Sequence, residues 1–393
     1  MKQEMISYLH TIKDDLVELT KYLYENPEES FKEHKAYNYI VKMLKEHDFK
    51  VTEHYLDIET SFYAEYGSGH PKICYLCEYD AHGKDGHTTG HNLISTMSLG
   101  AAFSLAKVIK KLGSGTVIVL GCPGEFKSGA KVTMAKQGTF KDIDVCLMAH
   151  PDIETALSGT SRAIVPLKIT YDVTPNPVSK SGSYSAQEAS LFTFNGLSLL
   201  TKGFPKHCAI DGIFVQSSNS PYTAPMHSES SFYIRAPKME IACEIEKKFR
   251  ELVKATSSIM EVQANVFMHE LPYDELITNN SLSRIFSHNL KECGIIDIND
   301  SKDTLAGLSL GTVSRVVPCI HPFISIVEDK TIPYMSSEFA KATISEYAIN
   351  NCLIAAEALA ITGLDLVEDE PLLSEVKTEF YESFKLPIMP CED

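Results

Sequence analysis

The sequence predicts an α/β protein: a three-layer domain with a mostly parallel central sheet, interrupted by a smaller inserted α+β domain. Two features of the hydrophobic pattern carry this reading. Up to about Asp152, short apolar runs alternate with longer helical segments, as βαβ units do. From about Arg162 to Glu270 the order becomes strand, helix, strand, strand, helix, strand, which fits a compact unit built on an antiparallel sheet. The length of 393 residues agrees, since ~150 residues per domain allows two to three domains. The expected boundaries are 1–161 with 271–393 for the discontinuous main domain, and 162–270 for the insert.

In chain order, Ile12, Leu16, Leu19 and Leu23 recur at helical spacing, as do Ala36, Ile40 and Met43 after the break at Pro27. Two amphipathic helices therefore open the chain. The apolar runs 73–76, 116–120 and 145–148 read as buried strands, with a helix over 93–112 between the first two. In the insert, strands are expected over 164–171, 208–215, 230–236 and 262–268, and helices over 186–200 and 240–257. A helix at 281–292, a strand near 320–327 and a long helix over 338–362 return to the earlier style. Ligands gather at the carboxyl ends of parallel strands, and there stand Asp80, Glu125 and His150, one after each of the first three runs.

Composition narrows the function. Hydrophobic residues make up 44% and charged ones 22%, an ordinary globular balance that excludes fibrous and disordered classes. Thirty-six basic residues against 52 acidic ones leave a formal net charge of −16, so neither nucleic acid nor a membrane surface is an expected partner. No sustained apolar run follows the N-terminus, and no stretch approaches the ~18 apolar residues of a membrane span. A cytoplasmic location is expected. The ten cysteines lack paired spacing and read as buried small hydrophobes, not a disulfide framework.

The densest polar stretch is Glu78-Tyr-Asp-Ala-His-Gly-Lys-Asp-Gly-His-Thr-Thr-Gly-His-Asn92, which follows a strand and runs into a helix. It offers Asp80, His82, Asp85, His87 and His91, residue types that ligate divalent metals or move protons. Glycines 83, 86 and 90 favour a tightly folded turn over a merely solvated loop. Glu125 lies just past a buried strand, where Pro123 and Gly124 end the strand and aim the carboxylate into the crevice. Taken singly, Glu125 reads equally as a helix N-terminal charge and His150 as a core histidine. Three polar residues at three successive strand ends of one sheet are harder to dismiss. Cys74 and Cys77 match a CxxC spacing, but in a strand they point to opposite faces and cannot share a zinc ion. His87 and His91 have zincin spacing without its glutamate, and no nucleophile elbow, phosphate loop or dinucleotide fingerprint occurs.

At these residues the chain resembles, over nearly its whole length, the zinc-dependent aminoacylase and carboxypeptidase family. The subgroup is the one that hydrolyses N-acyl amino acids, aminobenzoyl-glutamate and dipeptides. Residues 78–92 match its Glu-Tyr-Asp-Ala-Leu-Pro-Gly-x-Gly-His-Ala-Cys-Gly-His-Asn pattern without a gap. Further likeness lies in Gly-Cys-Pro-Gly-Glu at 121–125, Leu-Met-Ala-His-Pro at 147–151, Phe-Tyr-Ile-Arg-Ala at 232–236, the segment 313–322 and Glu-Phe-Ala at 338–340. The resemblance implies a zinc-exopeptidase-like catalytic domain with an inserted lid that mediates dimerisation, hence a homodimer or larger. It also implies two metals sharing a bridging cysteine or aspartate, a glutamate base, and a lid histidine that steadies the oxyanion.

Here the pattern departs from the family at several of these positions. The bridging cysteine falls on Thr89, the metal-binding glutamate beside the base falls on Phe126, and the C-terminal metal histidine falls on Met335. The lid histidine falls near Pro175 or Asn176. Glu125 corresponds to the base, Asp80 joins it as a catalytic candidate, and His91 and His150 survive as metal ligands, with His82, Asp85 and His87 as further site candidates. Two readings stay open. One is an amidohydrolase of N-acyl amino acids or dipeptides running on a single weakly held zinc or manganese ion. The other is an inactive relative that holds no metal and binds such a small molecule or serves as a partner subunit. A third and weaker reading places different chemistry at Cys122.

Overall fold

A computed structural model describes residues 1–173, 184–217 and 224–384. The elements in chain order begin with α1 (Lys2–Thr11), α2 (Lys13–Glu25) and α3 (His34–Glu46), then β1 (Lys50–Glu53), β2 (Phe62–Ser68), β3 (Lys72–Cys77), α4 (His91–Ile109), β4 (Gly115–Gly121), α5 (Ala130–Gln137), β5 (Val145–Leu147) and β6 (His150–Asp152). Next come β7 (Ala163–Asp172), α6 (Ala186–Leu200), β8 (Ala209–Gln216), β9 (His227–Ala236), α7 (Met239–Met260) and β10 (Gln263–Met268). The chain then forms α8 (Asn280–Glu292), α9 (Leu310–Val313), β11 (Cys319–Ile320), β12 (Phe323–Ser325), α10 (Ser337–Ala342), α11 (Glu346–Glu368) and α12 (Glu370–Ser383).

Two compact units emerge. Among the described residues the first comprises Met1–Thr160, Ile277–Asp303 and 312–384. Its main sheet has the order β1-β2-β4-β3-β5-β11, parallel at β4-β3, β3-β5 and β5-β11 and antiparallel at β1-β2 and β2-β4. Every residue of β3 from Ile73 to Cys77 is buried, which is why the strand reads as a continuous apolar run and not as an alternation. Helix α4 is almost wholly buried, packed against β3 and β4 on one side and α1, α2 and α11 on the other. By length and composition α4 and α11 could each cross a membrane, contrary to the expectation from sequence, yet α4 is a core helix. The Tyr75 hydroxyl donates to the Leu359 carbonyl of α11 at 3.1 Å, so the deepest polar atom of β3 is satisfied across the core.

The second unit comprises Ser161–Leu276 and Thr304–Gly311. Its antiparallel sheet has the order β10-β7-β9-β8. Strand β9 alternates buried and part-exposed residues along its whole length, and its inner residues Phe232 and Ile234 join Phe249 and Val253 of α7 in one core. The segment 304–311 comes close enough to require glycine: a Cβ on Gly311 would lie 1.9 Å from the Asp274 carbonyl oxygen.

Three expectations are corrected. The helix expected over 338–362 is two helices, because Ser345 ends the first path and caps α11 by accepting from the Ala348 N–H. The strand expected near 320–327 breaks between β11 and β12, where Pro322 supplies no N–H to a ladder. His150 does not end the run 145–148. It opens β6, which pairs in parallel with β12 in a separate two-stranded sheet. Strands β1 and β2 went unread because their residues Lys50, Thr52, Glu53, Tyr63 and Glu65 blur the alternation.

Candidate functional site

Parallel pairing of β3 with β4 sets Cys77 opposite Gly121, and the Cys122 N–H continues the ladder to the Cys77 carbonyl at 2.8 Å. The segments leaving these two strand ends are thereby held side by side: Glu78 and Asp80 from one, Glu125 and Phe126 from the other. His91 joins them as the first residue of α4. The polar residues of the site therefore sit at the carboxyl edge of adjacent parallel strands.

Asp80 is fully buried and satisfied on every side. One carboxylate oxygen lies 2.7 Å from His91 Nδ1, and the other accepts from the Ser30 hydroxyl at 2.7 Å and from the Phe126 N–H at 3.1 Å. Burial works against its charge, but the His91 imidazolium and these donors outweigh burial and hold the carboxyl below its ordinary range. Reciprocally, burial alone would discharge His91, and the Asp80 and Glu78 carboxylates overcome it and raise the imidazole to about 9. His91 Nε2 stands 3.5 Å from Glu78.

Lys131 lies at the second position of α5, where the helix N-terminus disfavours a cation. Two carboxylates reverse that preference: its ammonium contacts Glu78 and lies 2.8 Å from Glu125. The side chain is 1% exposed. Burial opposes the charge, and Glu125 and Glu78 more than offset it, raising the ammonium above the ordinary lysine range. For Glu78, burial is likewise outweighed by Lys131 and His91, and its carboxyl is lowered. Three carboxylates are thus matched by two cations of the chain itself.

The three positions expected to depart from the family pattern have the following surroundings. Phe126 stacks its ring on His91, centroids 5.2 Å apart and planes inclined by 29°. The Thr89 hydroxyl is buried and finds no hydrogen-bond partner among the described residues. Met335 is half exposed on a left-handed backbone turn.

The remaining candidates separate. His150 Nδ1 bonds the Pro151 carbonyl at 2.8 Å, which leaves its lone pair on Nε2, and its ring lies 6.1 Å from that of His91. His87 turns away: its Nε2 donates to the Leu23 carbonyl of α2 at 3.0 Å, and burial together with the nearby His91 charge lowers it to about 4. His82 and Asp85 pair with each other on the surface at 3.4 Å. Pro175 and Asn176, where the lid histidine was expected, lie outside the described residues.

Sequence reasoning passed over Ser30, Lys131 and His321. His321 stacks on His150 with centroids 5.0 Å apart, because the breaks that separate β5 from β6 and β11 from β12 occur side by side. Its sequence signal was a His-Pro step inside an apolar run. Lys131 carried no local signal. A dinuclear metal pair does not fit this donor set: among the described residues no group of three or more His, Cys, Asp or Glu side chains is arranged to hold a metal ion.

Fold and site together define an α/β framework of the zinc-exopeptidase style, with a mixed, mostly parallel sheet and a separate unit on a four-stranded antiparallel sheet. No family profile matches the chain. It is 28% identical to the Xaa-Arg dipeptidase of Mus musculus over 97% of this chain and 92% of that one, and 29% identical to the Homo sapiens Xaa-Arg dipeptidase over 92% and 88%. The fold is shared with a dinuclear metal binding peptidase of the M20 family from Bacillus subtilis, at a TM-score of 0.64, 15% identity, and coverage of 91% of this chain and 99% of that one. In sequence the chain is thus similar to these dipeptidases, and in fold to that M20 peptidase.

Proposed function

We propose that this protein is a member of the zinc-dependent aminoacylase and carboxypeptidase family that has lost metal-dependent amide hydrolysis and retains the capacity to bind a small N-acylated amino acid or dipeptide. The stack of Phe126 on His91 carries the reading: an apolar ring covers the imidazole at the position where a family ligand would be anionic. An apolar ring on this imidazole supplies no anionic ligand to either half of a dinuclear centre. Glu125 in the role of base faces a related obstacle, since a carboxylate beside a buried ammonium is a weak proton acceptor. The Cys122 reading gains no support, because burial raises that thiol well above its ordinary value and keeps it un-ionised. The ligand class follows the dipeptidase relatives.

Two further parts belong to this reading. Copies pair through the inserted unit, whose edge strand β8 and helix α6 expose Ile213, Phe214, Leu191, Phe192 and Leu199. The location is cytoplasmic, in keeping with cysteines that are all free among the described residues.

The test is turnover of Xaa-Arg dipeptides, N-acyl amino acids and aminobenzoyl-glutamate by the purified chain, with and without added zinc or manganese, beside thermal-shift binding of the same compounds. Binding without turnover is expected. Hydrolysis that Glu125→Gln abolishes would overturn the proposal.

A further inference from the structure

We infer that Lys131 is this site's own cation: its ammonium bars divalent metal ions from the Glu78–Glu125 pair, and removing it opens a site for one such ion. The inference deepens the reading above and rests on it. Glu78 and Glu125 leave adjacent parallel strands and converge on one point, and the ammonium fills that point. His91 Nε2 faces the same Glu78 carboxylate at 3.5 Å. Without Lys131, two carboxylates and an imidazole would surround a buried point that carries no counter-charge of its own. Oxygen and imidazole donors of this kind suit zinc, cobalt or manganese. With Lys131 present, a dication would have to approach a fixed ammonium in a dry interior, where repulsion is weakly screened. The side chain enters from the buried first turn of α5 and is 1% exposed, so it has no solvated position into which to withdraw.

This arrangement differs from a simple loss of ligands. Thr89, Phe126 and Met335, at the expected ligand positions, supply no anionic or imidazole donor, whereas Lys131 neutralises the carboxylates that remain. A family site stripped of its metals would otherwise bury unpaired carboxylates at high cost. The ammonium satisfies Glu78 and Glu125 with one side chain.

The experiment compares the full-length protein with Lys131→Gln, both dialysed against chelator, by titration with Co²⁺ read from its absorption spectrum and with Zn²⁺ read by competition and by melting temperature. Lys131→Gln is expected to bind Zn²⁺ roughly tenfold or more tightly than the unaltered chain and to melt higher when Zn²⁺ is added, the unaltered chain showing neither. The double variant Lys131→Gln with Glu78→Gln lacks one donor and is expected to fold without binding metal. Should Lys131→Gln fold only poorly, recovery of its cooperative melting on adding Zn²⁺ supports the inference, and no recovery overturns it. A folded Lys131→Gln that takes up no metal overturns the inference and leaves the proposed function standing. Metal-free turnover by the unaltered chain overturns the proposed function alone, and equal metal uptake by both proteins overturns both.

Discussion

The ring of Phe126 lies on the imidazole of His91, while the backbone N–H of the same Phe126 donates to Asp80, the carboxylate that holds His91 in place. One residue thus covers the histidine and fastens its anchor. Phe126→Glu keeps the backbone bond but sets a fourth carboxylate among Glu78, Asp80 and Glu125. The variant is expected to lose about 1–2 kcal/mol of stability in urea denaturation and to gain no hydrolytic activity, because Thr89 and Met335 still lack the other donors. Turnover gained by this single replacement would show that one ligand alone was missing.

The edge strand β8 exposes Ile213 at 66% and Phe214 at 42%, and α6 adds Leu199 at 66%. Unpaired edge groups flanked by apolar side chains favour pairing with a second copy. Ile213→Lys combined with Leu199→Asp is therefore expected to yield a monomer with an unchanged circular dichroism spectrum, measured by light scattering after gel filtration. A monomer for the unaltered chain at micromolar concentration would remove the pairing from the proposal.

Glu33 supplies a pH signature. It is buried, with one oxygen accepting from the Phe31 and Gly124 N–H groups at 2.8 and 2.9 Å and the other from the Thr60 hydroxyl at 2.8 Å. Burial and the Asp80 charge raise its carboxyl from the ordinary 4.5 to about 7 against the pull of these donors. A raised carboxyl means that the native state binds the proton more tightly than the unfolded chain does. Its contribution is complete below about pH 4.5 and is lost as pH rises through about 7, at a cost of up to about 3 kcal/mol. In Glu33→Gln the amide oxygen serves both N–H groups and the amide nitrogen donates to Thr60, so the bonds survive and the titration disappears. Urea midpoints from pH 5 to 8 are expected to fall less steeply in the variant. Parallel slopes would place the Glu33 transition outside this range.

How much of this was legible in the sequence depended on range. The strand ends carrying Asp80 and Glu125 were readable because β3 and β4 are continuous apolar runs bounded by polar residues, a local pattern. The departures expected at Thr89, Phe126 and Met335 rest on likeness to a family pattern, not on any local signal. Lys131 was not readable, since nothing local distinguishes a lysine that reaches inward to two strand ends from one that faces water. His321 escaped for another reason: its meeting with His150 depends on two strands breaking side by side, a consequence of sheet register that no single run of residues encodes. His87 misled in the opposite sense, because its neighbours in sequence are site residues while its ring serves α2.

Gly90 links the two surviving histidines. It precedes His91 with φ at 78°, and a Cβ there would stand 2.8 Å from the ring of Pro151, whose carbonyl holds His150 Nδ1. Gly90→Ala therefore adds two costs, a left-handed backbone for a residue with a side chain and a collision that shifts Pro151. Gly113 separates them: it too is left-handed, with φ at 82°, yet a Cβ there meets nothing within 4 Å. Gly113→Ala is expected to lose about 1 kcal/mol, the backbone cost alone, and Gly90→Ala about 2–3 kcal/mol or more. Imidazole resonances should sharpen the distinction. Those of His150 should shift in Gly90→Ala and stay in place in Gly113→Ala, because only the first displaces the carbonyl that fixes the tautomer. Equal stability losses with an unmoved His150 would mean that Pro151 yields without cost, and that the spacing between His91 and His150 is not set at Gly90.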